Sequence, residues 1–266
     1  MSASIKNAFG TAMTDDEYGE NWVASSVALD RDNDYAWMAS QLGSAHLVLD
    51  VGAGAGRGLY QLARNGARVI CVEINARLLK EAATYLTLMH IPVSVCDVVE
   101  VVSHHQGPPG TVLLVKGDLM DPALDELPAG AFKAVTCWLI GANPTQITKT
   151  IGVPIAEHSG ATGPVYRQAV QGRCRDLGLK LLCPNGALHF VDRAFMSSWN
   201  HKTQLREHEQ KVRGAEVGEA FSIGVEEVMF RRSGLGMWAS GVQLVPNQRL
   251  PSEGITALQS VIARRR

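Results

Sequence analysis

HLVLDVGAGAGRGLYQLARNGARVICVEIN, residues 46–75, is the stretch of this sequence that decides its fold. Residues 47–51 form a short apolar run, which is typical of a buried parallel strand. Four glycines then alternate with other residues, a spacing that disfavours helix and strand but lets the backbone approach a ligand closely. Residues 59–65 predict a helix, with Gly66 at its end, and residues 67–72 predict a second strand that ends at Glu73. The stretch therefore predicts a nucleotide-binding βαβ unit.

The spacing of these glycines separates two classes of cofactor. A dinucleotide fingerprint needs G-x-G-x-x-G/A, and the three registers place Arg57, Leu59 or Gln61 at the last position. None of the three is glycine or alanine, so every register fails. The motif that stands here is Asp50-Val51-Gly52-Ala53-Gly54-Ala55-Gly56. It resembles motif I of the Rossmann-like S-adenosylmethionine (SAM) dependent methyltransferases.

The resemblance implies a site for SAM. In that family the glycine loop passes under the methionine part of the cofactor, and an acid after the second strand holds the ribose hydroxyls. Glu73 matches this acid, and a carboxylate can accept two hydrogen bonds from a vicinal diol. A later acid accepts from the adenine amino group, and Asp118 followed by Leu119 fits that pattern. The implied cofactor residues are Asp50, Gly52, Ala53, Gly54, Gly56, Glu73, Ile74, Asp118, Leu119 and Trp138.

The same resemblance implies a fold class, an α/β three-layer αβα Rossmann-like methyltransferase fold. Its sheet would be mostly parallel and seven-stranded, with an antiparallel last strand predicted at residues 255–263. Pro184-Asn185-Gly186 predicts a turn before the fifth strand, because Asn tolerates positive φ better than most residues. We predict a helical cap or lid at residues 1–41 and a SAM-binding domain at 42–266. Within that domain, residues 193–250 are a candidate insertion for substrate recognition or oligomerisation.

Candidates for the substrate side of the site are less specific. Tyr18 and Trp22 are lid candidates by the resemblance, although aromatic side chains also commonly anchor a terminal helix to a core. Asn143-Pro144 is only a fragment of the [D/N]-P-P-[Y/F/W] motif of amino-methylating enzymes, but Asn143 follows the fourth strand and can line the pocket.

Histidines are the natural candidates for a general base, although the methyl group of SAM is already activated and alignment can suffice. His158 lies in the loop after the fourth strand and is a weak candidate. His189 lies inside the predicted fifth strand, where a hydrogen-bonded core histidine is expected. His104 and His105 are adjacent in a loop and lack the spacing of metal ligands, so no metal site is predicted.

The composition argues against several partners. A net charge of -1 offers no general attraction to nucleic acid or acidic lipid. No apolar run approaches the roughly 20 residues that a membrane helix needs, and the N-terminal residues do not resemble a signal peptide. Five scattered cysteines without a C-x-x-C pair indicate reduced thiols and a cytoplasmic location.

We therefore predict a SAM-dependent methyltransferase that acts on a small molecule and releases S-adenosylhomocysteine. Three alternatives stay open at this point. The acceptor can be a protein or nucleic acid recognised by residues 193–249. The chain can be a non-catalytic SAM-binding or nucleotide-sensing domain that uses an oligomer interface. For the enzyme itself, a homodimer is the candidate assembly. A reductase that uses NAD is the most distant alternative.

Overall fold

The computed structural model describes residues 14–234 and 254–266. Within these ranges nine strands form one sheet with a crossover topology. The strands are β1 (Leu47–Val51), β2 (Arg68–Glu73), β3 (Val93–Asp97), β4 (Val112–Lys116), β5 (Phe132–Trp138), β6 (Leu182–Met196), β7 (Phe221–Ser222), β8 (Val228–Arg232) and β9 (Ile255–Arg265).

Helices cover both faces of this sheet and create two hydrophobic cores. Because side chains alternate along a strand, Val48 of β1 packs on one face while Leu49 packs on the other. No helix in the described ranges is long and apolar enough to cross a bilayer. The helices are α1 (Asp15–Arg31), α2 (Asp34–Ser40), α3 (Arg57–Arg64), α4 (Ala76–Leu88), α5 (Val101–His104), α6 (Pro144–Ile151), α7 (Thr162–Leu181) and α8 (Lys202–Val217).

The strand order is β3-β4-β2-β1-β5-β6-β9-β7, and β8 also pairs with β9. The strands from β3 to β6 pair in parallel, whereas β9 is antiparallel to β6, β7 and β8. The predicted mostly parallel sheet with an antiparallel last strand is therefore confirmed.

Two features raise the strand number above the predicted seven. β3 adds an edge strand beyond β4, and two short strands, β7 and β8, follow one another along β9. β3 lacks the apolar signature of a buried strand because it lies at the edge, where Val95 is 53% exposed.

Local sequence explains where some elements begin and bend. Asn75 starts α4, because its side-chain oxygen accepts from the backbone N–H groups of Arg77 and Leu78, both at 3.0 Å. Asn185 has φ 59°, as predicted. It lies inside β6 rather than before it, where the pairing with β5 shifts register between Phe132 and Ala134. The predicted turn is therefore a bulge within a longer strand.

Arg68 holds the long segment between β3 and β4 against the sheet. Its buried guanidinium donates to the hydroxyl of Thr111 at 2.9 Å and to the carbonyls of His104 at 3.1 Å, Gln106 at 3.3 Å and His105 at 3.4 Å. His104 and His105 thus contact Arg68 through their backbone carbonyls. The described residues contain no cluster of potential metal ligands.

Replacement of Arg68 by alanine should lower the free energy of unfolding by about 2–4 kcal/mol, because the carbonyls lose a shared charged donor. Urea denaturation of Arg68→Ala would measure the loss. Arg64→Ala, which removes an exposed arginine from α3, is the control and should change stability by less than about 0.5 kcal/mol. An equal effect of both substitutions would show that Arg68 does not anchor the segment.

Candidate functional site

A cavity lies at the carboxyl ends of the central strands. Ligands bind at this edge of open parallel sheets. The residues that line it include Gly52 and Gly54 after β1, Glu73 to Asn75 after β2, Gly117 to Met120 after β4, and Trp138 to Asn143 from β5 onward. They also include Asp15, Tyr18 and Trp22 of α1, Gln146 and Thr150 of α6, and Tyr166 and Val170 of α7.

The glycine loop between β1 and α3 requires glycine for conformation and for space. Gly52, Gly54 and Gly56 have φ values of 89°, 51° and 82°. A Cβ atom on Gly54 would lie 2.5 Å from Nε1 of Trp22, and one on Gly56 would lie 2.9 Å from Cα of Ala82. Gly54 therefore allows α1 to lie over the loop, and Gly56 allows α4 to pack against it. Gly52 and Gly54 line the cavity, whereas Gly56 serves packing.

Asp50 lies beneath the loop and does not line the cavity. Its buried carboxylate accepts from the hydroxyl of Thr136 on β5 at 2.5 Å and from the thiol of Cys71 on β2 at 3.3 Å. Burial raises the pKa of Asp50 to about 6, although these donors oppose the rise. Asp50 therefore supports the loop from beneath, and its predicted contact with a cofactor stays a prediction.

Glu73 is a buried acceptor at the end of β2, and its side chain lines the cavity. Its carboxylate accepts from the N–H of Asn75 at 2.8 Å. Burial raises the pKa of Glu73 to about 7, while the backbone N–H groups of Asn75, Gly54, Ile74 and Ala53 oppose the rise. Ala53, predicted to contact a cofactor, thus acts on the carboxylate from the side of the loop and does not line the cavity.

Asp118 is the second carboxylate in the cavity, and its surroundings favour the charged form. It accepts from the N–H of Met120 at 3.0 Å, from Lys149 Nζ at 3.1 Å and from Gln146 Nε2 at 3.4 Å. Burial alone would raise the pKa of Asp118, but these donors outweigh it and hold the pKa below its usual value. Asp118 is therefore ionised at neutral pH, and Leu119, the next residue, also lines the cavity.

The first turn of α1 joins two walls of the cavity. The backbone carbonyl of Asp15 accepts from Asn75 Nδ2 at 3.1 Å, and its carboxylate accepts from Asn143 Nδ2. Tyr18 and Trp22 follow on the same helix and line the cavity. No motif in the sequence singles out Asp15, although a sequence signal marks the start of its helix. The helix begins with a Thr-x-x-Glu capping box, in which the Thr14 hydroxyl accepts from Glu17 N–H at 3.2 Å.

Trp138 is held by a chain of buried polar groups. Its indole N–H donates to His189 Nδ1 at 3.1 Å, and His189 Nε2 lies 2.8 Å from the hydroxyl of Ser260. That hydroxyl donates to Gln41 Oε1 at 2.6 Å, which assigns the Nε2–H tautomer to His189. Burial lowers the pKa of His189 to about 3, so the ring is neutral. The expected hydrogen-bonded core histidine is confirmed.

His158 is not among the residues that line the cavity. Its Nε2 atom lies 3.1 Å from the hydroxyl of Thr148 and 3.1 Å from the carbonyl oxygen of Val153.

Tyr166 and Gln146 do line the cavity, and no motif in the sequence marks either of them. They reach the site because α6 and α7 pack beside the ends of β4 and β5.

Comparisons with known proteins identify the fold. Residues 49–139, about a third of the chain, match a family model described as a methyltransferase domain. Geranyl diphosphate C-methyltransferase from Streptomyces coelicolor A3(2) is 12% identical, with a TM-score of 0.50, over 89% of this chain and 79% of that chain. The N-methyltransferase NodS from Bradyrhizobium japonicum WM9 is 11% identical, with a TM-score of 0.45, over 89% and 94%. No curated protein sequence matches significantly. The predicted Rossmann-like methyltransferase fold is therefore confirmed.

The raised pKa of Glu73 predicts that this residue destabilises the free protein above neutral pH. Its pKa rises from 4.5 to about 7 on folding, so the folded state binds more protons in that interval and stability falls as pH rises through it. Glu73→Gln should therefore be more stable than the wild type at pH 8 by about 2–3 kcal/mol, and the difference should vanish near pH 4.5.

Urea denaturation at several pH values would test this expectation. Asp118→Asn is the matched control with the opposite sign, because the pKa of Asp118 is lowered and its charge contributes stability that is lost as pH falls. A Glu73→Gln protein less stable than the wild type at pH 8 would contradict the assignment.

Proposed function

We propose that this chain, which has the fold of the Rossmann-like methyltransferases, is a SAM-dependent methyltransferase for a small-molecule acceptor. One observation carries the proposal. Glu73 and Asp118 follow the neighbouring strands β2 and β4 and line one cavity together with the glycine loop after β1. Carboxylates at the ends of two neighbouring parallel strands suit the ribose and adenine of one adenosyl group, with the loop left for the methionine part.

The residues fit SAM chemically. In the proposed site the Glu73 carboxylate accepts from the ribose hydroxyls, and Asp118 accepts from the adenine amino group. Gly52 and Gly54 have no side chains, so backbone atoms of the loop are accessible to the methionine part. A side chain at position 52 would take up this space, because its Cβ would lie 3.1 Å from Ile140 Cδ1. The likeness to geranyl diphosphate C-methyltransferase, whose structure contains S-adenosylhomocysteine, supports the same choice of cofactor.

When bound by Glu73, Asp118 and the glycine loop, SAM would supply a methyl group activated by a positively charged sulfur that would become a neutral thioether. The residues of this chain then have to orient the acceptor and exclude water. Tyr18 and Tyr166 line the cavity, and burial raises the pKa of both, so they act as hydrogen-bond donors and not as bases. His189 is neutral and fully engaged. We therefore propose catalysis by alignment, without a dedicated general base.

The N-terminal segment supports a small acceptor. α1 covers the cavity with Tyr18 and Trp22, and Asp15 joins it to Asn143, so the proposed lid leaves little room for a macromolecule. The net charge of -1 also gives no attraction to nucleic acid. The experiments below address methylation of a protein or nucleic acid and a purely SAM-binding role. A homodimer and a cytoplasmic location stay predictions from the sequence.

Isothermal titration calorimetry with S-adenosylhomocysteine, methylthioadenosine, NADH and ATP tests the cofactor class. We expect S-adenosylhomocysteine to bind, and Glu73→Ala and Asp118→Ala each to weaken its binding at least about tenfold, because each removes a hydrogen bond to a charged group. Asp97→Ala is the matched control, since Asp97 is an exposed aspartate at the end of the neighbouring strand β3. If S-adenosylhomocysteine does not bind, the proposal is wrong.

Transfer of labelled methyl groups from SAM tests the acceptor class. The protein would be incubated with separate small-molecule, RNA and protein fractions of a cell extract. We expect label in the small-molecule fraction, because the covered cavity excludes larger acceptors. Predominant labelling of RNA or protein would instead favour the macromolecular alternative, and binding without any transfer would favour a SAM-binding role.

The contacts of Asp15 predict that α1 controls entry to the cavity. Asp15→Ala removes the carboxylate that meets Asn143, so S-adenosylhomocysteine should bind and dissociate several-fold faster in stopped-flow measurements. Asp16→Ala is the control, because Asp16 points to Arg77 at 3.7 Å and is 77% exposed. Equal rates in both variants and the wild type would rule out a lid role for this contact.

A further inference from the structure

Arg193 is a cation that the proposed cofactor site does not use. It lies on β6, and its guanidinium carbon is 5.9 Å from the centre of the Trp22 ring. Its Nη2 atom is buried, and no residue in the described part of the chain accepts a hydrogen bond from it. Buried donors in folded proteins almost always have a partner, so this one requires an explanation.

Several other partly buried arginines of the described chain reach a carboxylate, although Arg68 and Arg206 do not. The pairs are Arg57–Asp30 at 3.7 Å, Arg213–Asp192 at 3.3 Å and Arg231–Asp34 at 2.7 Å. Arg193 forms no such pair within residues 14–234 and 254–266. Burial lowers the pKa of Arg193, the rings of Tyr35 and Tyr18 oppose that effect, and the nearby Arg167, itself paired with Asp192 at 3.4 Å, lowers the pKa further. Arg193 is thus a buried cation without a carboxylate partner among the described residues.

Register along the sheet gives the position of Arg193 relative to the cavity. Trp138, the last residue of β5, pairs with Val191, so Arg193 lies two residues beyond the end of β5. Its side chain is on the same face as that of Val191, which is the face covered by α1 and α2. Arg193 is not itself among the residues that line the cavity, but it lies beside Trp22, which is one of them.

The strand order separates this position from the adenosine end. Along the sheet edge, Asp118 follows β4, Glu73 follows β2, the glycine loop follows β1, and Arg193 lies on β6 beyond β5. With the adenosyl group at β4 and β2, the remaining approach to the methyl group is from the side of β5 and β6. A group held by Arg193 would therefore belong to the acceptor and not to the cofactor.

We propose that Arg193 binds an oxyanion of the methyl acceptor, a carboxylate or a phosphate, beside Trp22 and Tyr18. The assignment to the acceptor rests on the proposed function. A guanidinium offers two parallel N–H donors that match a carboxylate or phosphate, and a partly desolvated site strengthens such a bond. The bound oxyanion supplies both the missing acceptor for Nη2 and the missing counter-charge.

Calorimetric titration of the full chain with simple probes tests the proposal, with and without saturating S-adenosylhomocysteine. The probes are benzoate, phenyl phosphate and benzamide, which has the shape of benzoate without its charge. The variants are Arg193→Gln and Arg193→Lys. Arg232→Gln is the matched control, because Arg232 also stacks on a tryptophan, Trp199 at 5.0 Å, on an exposed part of β8.

We expect at least one of the two anions to bind the wild type more than tenfold more tightly than benzamide. Arg193→Gln should lose that preference, Arg193→Lys should retain part of it, and Arg232→Gln should retain all of it. The anion that binds identifies the source as carboxylate or phosphate. Equal binding of benzoate, phenyl phosphate and benzamide to the wild type, or an unchanged preference in Arg193→Gln, would overturn the proposal.

The outcome of the Arg193 test can be distinguished from the outcome of the test of the proposed function. Thermal unfolding and S-adenosylhomocysteine affinity of Arg193→Gln should match the wild type, which shows that the variant is folded with its cofactor site intact. If the wild type does not bind S-adenosylhomocysteine, the methyltransferase proposal fails, while the titrations without it still decide whether Arg193 binds an anion.

Discussion

The buried carboxylate of Asp50 is the interaction on which the site depends. It joins β1 to Thr136 of β5 and to Cys71 of β2, immediately before the chain leaves the sheet at Gly52. Because these three strands are parallel neighbours, this contact aligns their carboxyl ends at one level. The glycine loop, the Glu73 carboxylate and the residues after β5 consequently face the same cavity.

Two carboxylates line the cavity, and their surroundings shift their pKa values in opposite directions. Glu73 is buried with only backbone N–H donors around it, and burial raises its pKa to about 7. Asp118 has Lys149 and Gln146 as partners and stays ionised. Partial protonation of Glu73 limits the accumulation of negative charge in the cavity, and in the proposed site ligand hydroxyl groups replace the proton as hydrogen-bond donors. The proposed binding role of Glu73 is thus maintained at some expense of stability.

The two sides of the cavity differ in how they are built. The side formed by β4, β2 and β1 consists of strand ends and one loop, so consecutive sequence motifs describe it. The side formed by α1, β5 and β6 brings together residues that are far apart in the chain, such as Asp15 with Asn143 and Trp22 with Arg193. This side, where we propose that the acceptor binds, is therefore the part on which the specificity of such a fold can vary without change to the proposed cofactor motifs.

The sequence by itself determined the βαβ unit and the failure of the dinucleotide fingerprint. It also determined that the acids Glu73 and Asp118 stand at strand ends, that Asn185 has a positive φ and that the last strand is antiparallel. These features depend on local spacing, where glycine conformation, apolar runs and turn residues act over a few positions. Only the tertiary structure decided that Asp50, Gly56 and His158 lie away from the cavity, and that Asp15, Tyr166 and Arg193 lie at or beside it. The reason is that side-chain direction and the packing of α1, α6 and α7 on the sheet are set by contacts between distant segments, which no local pattern records.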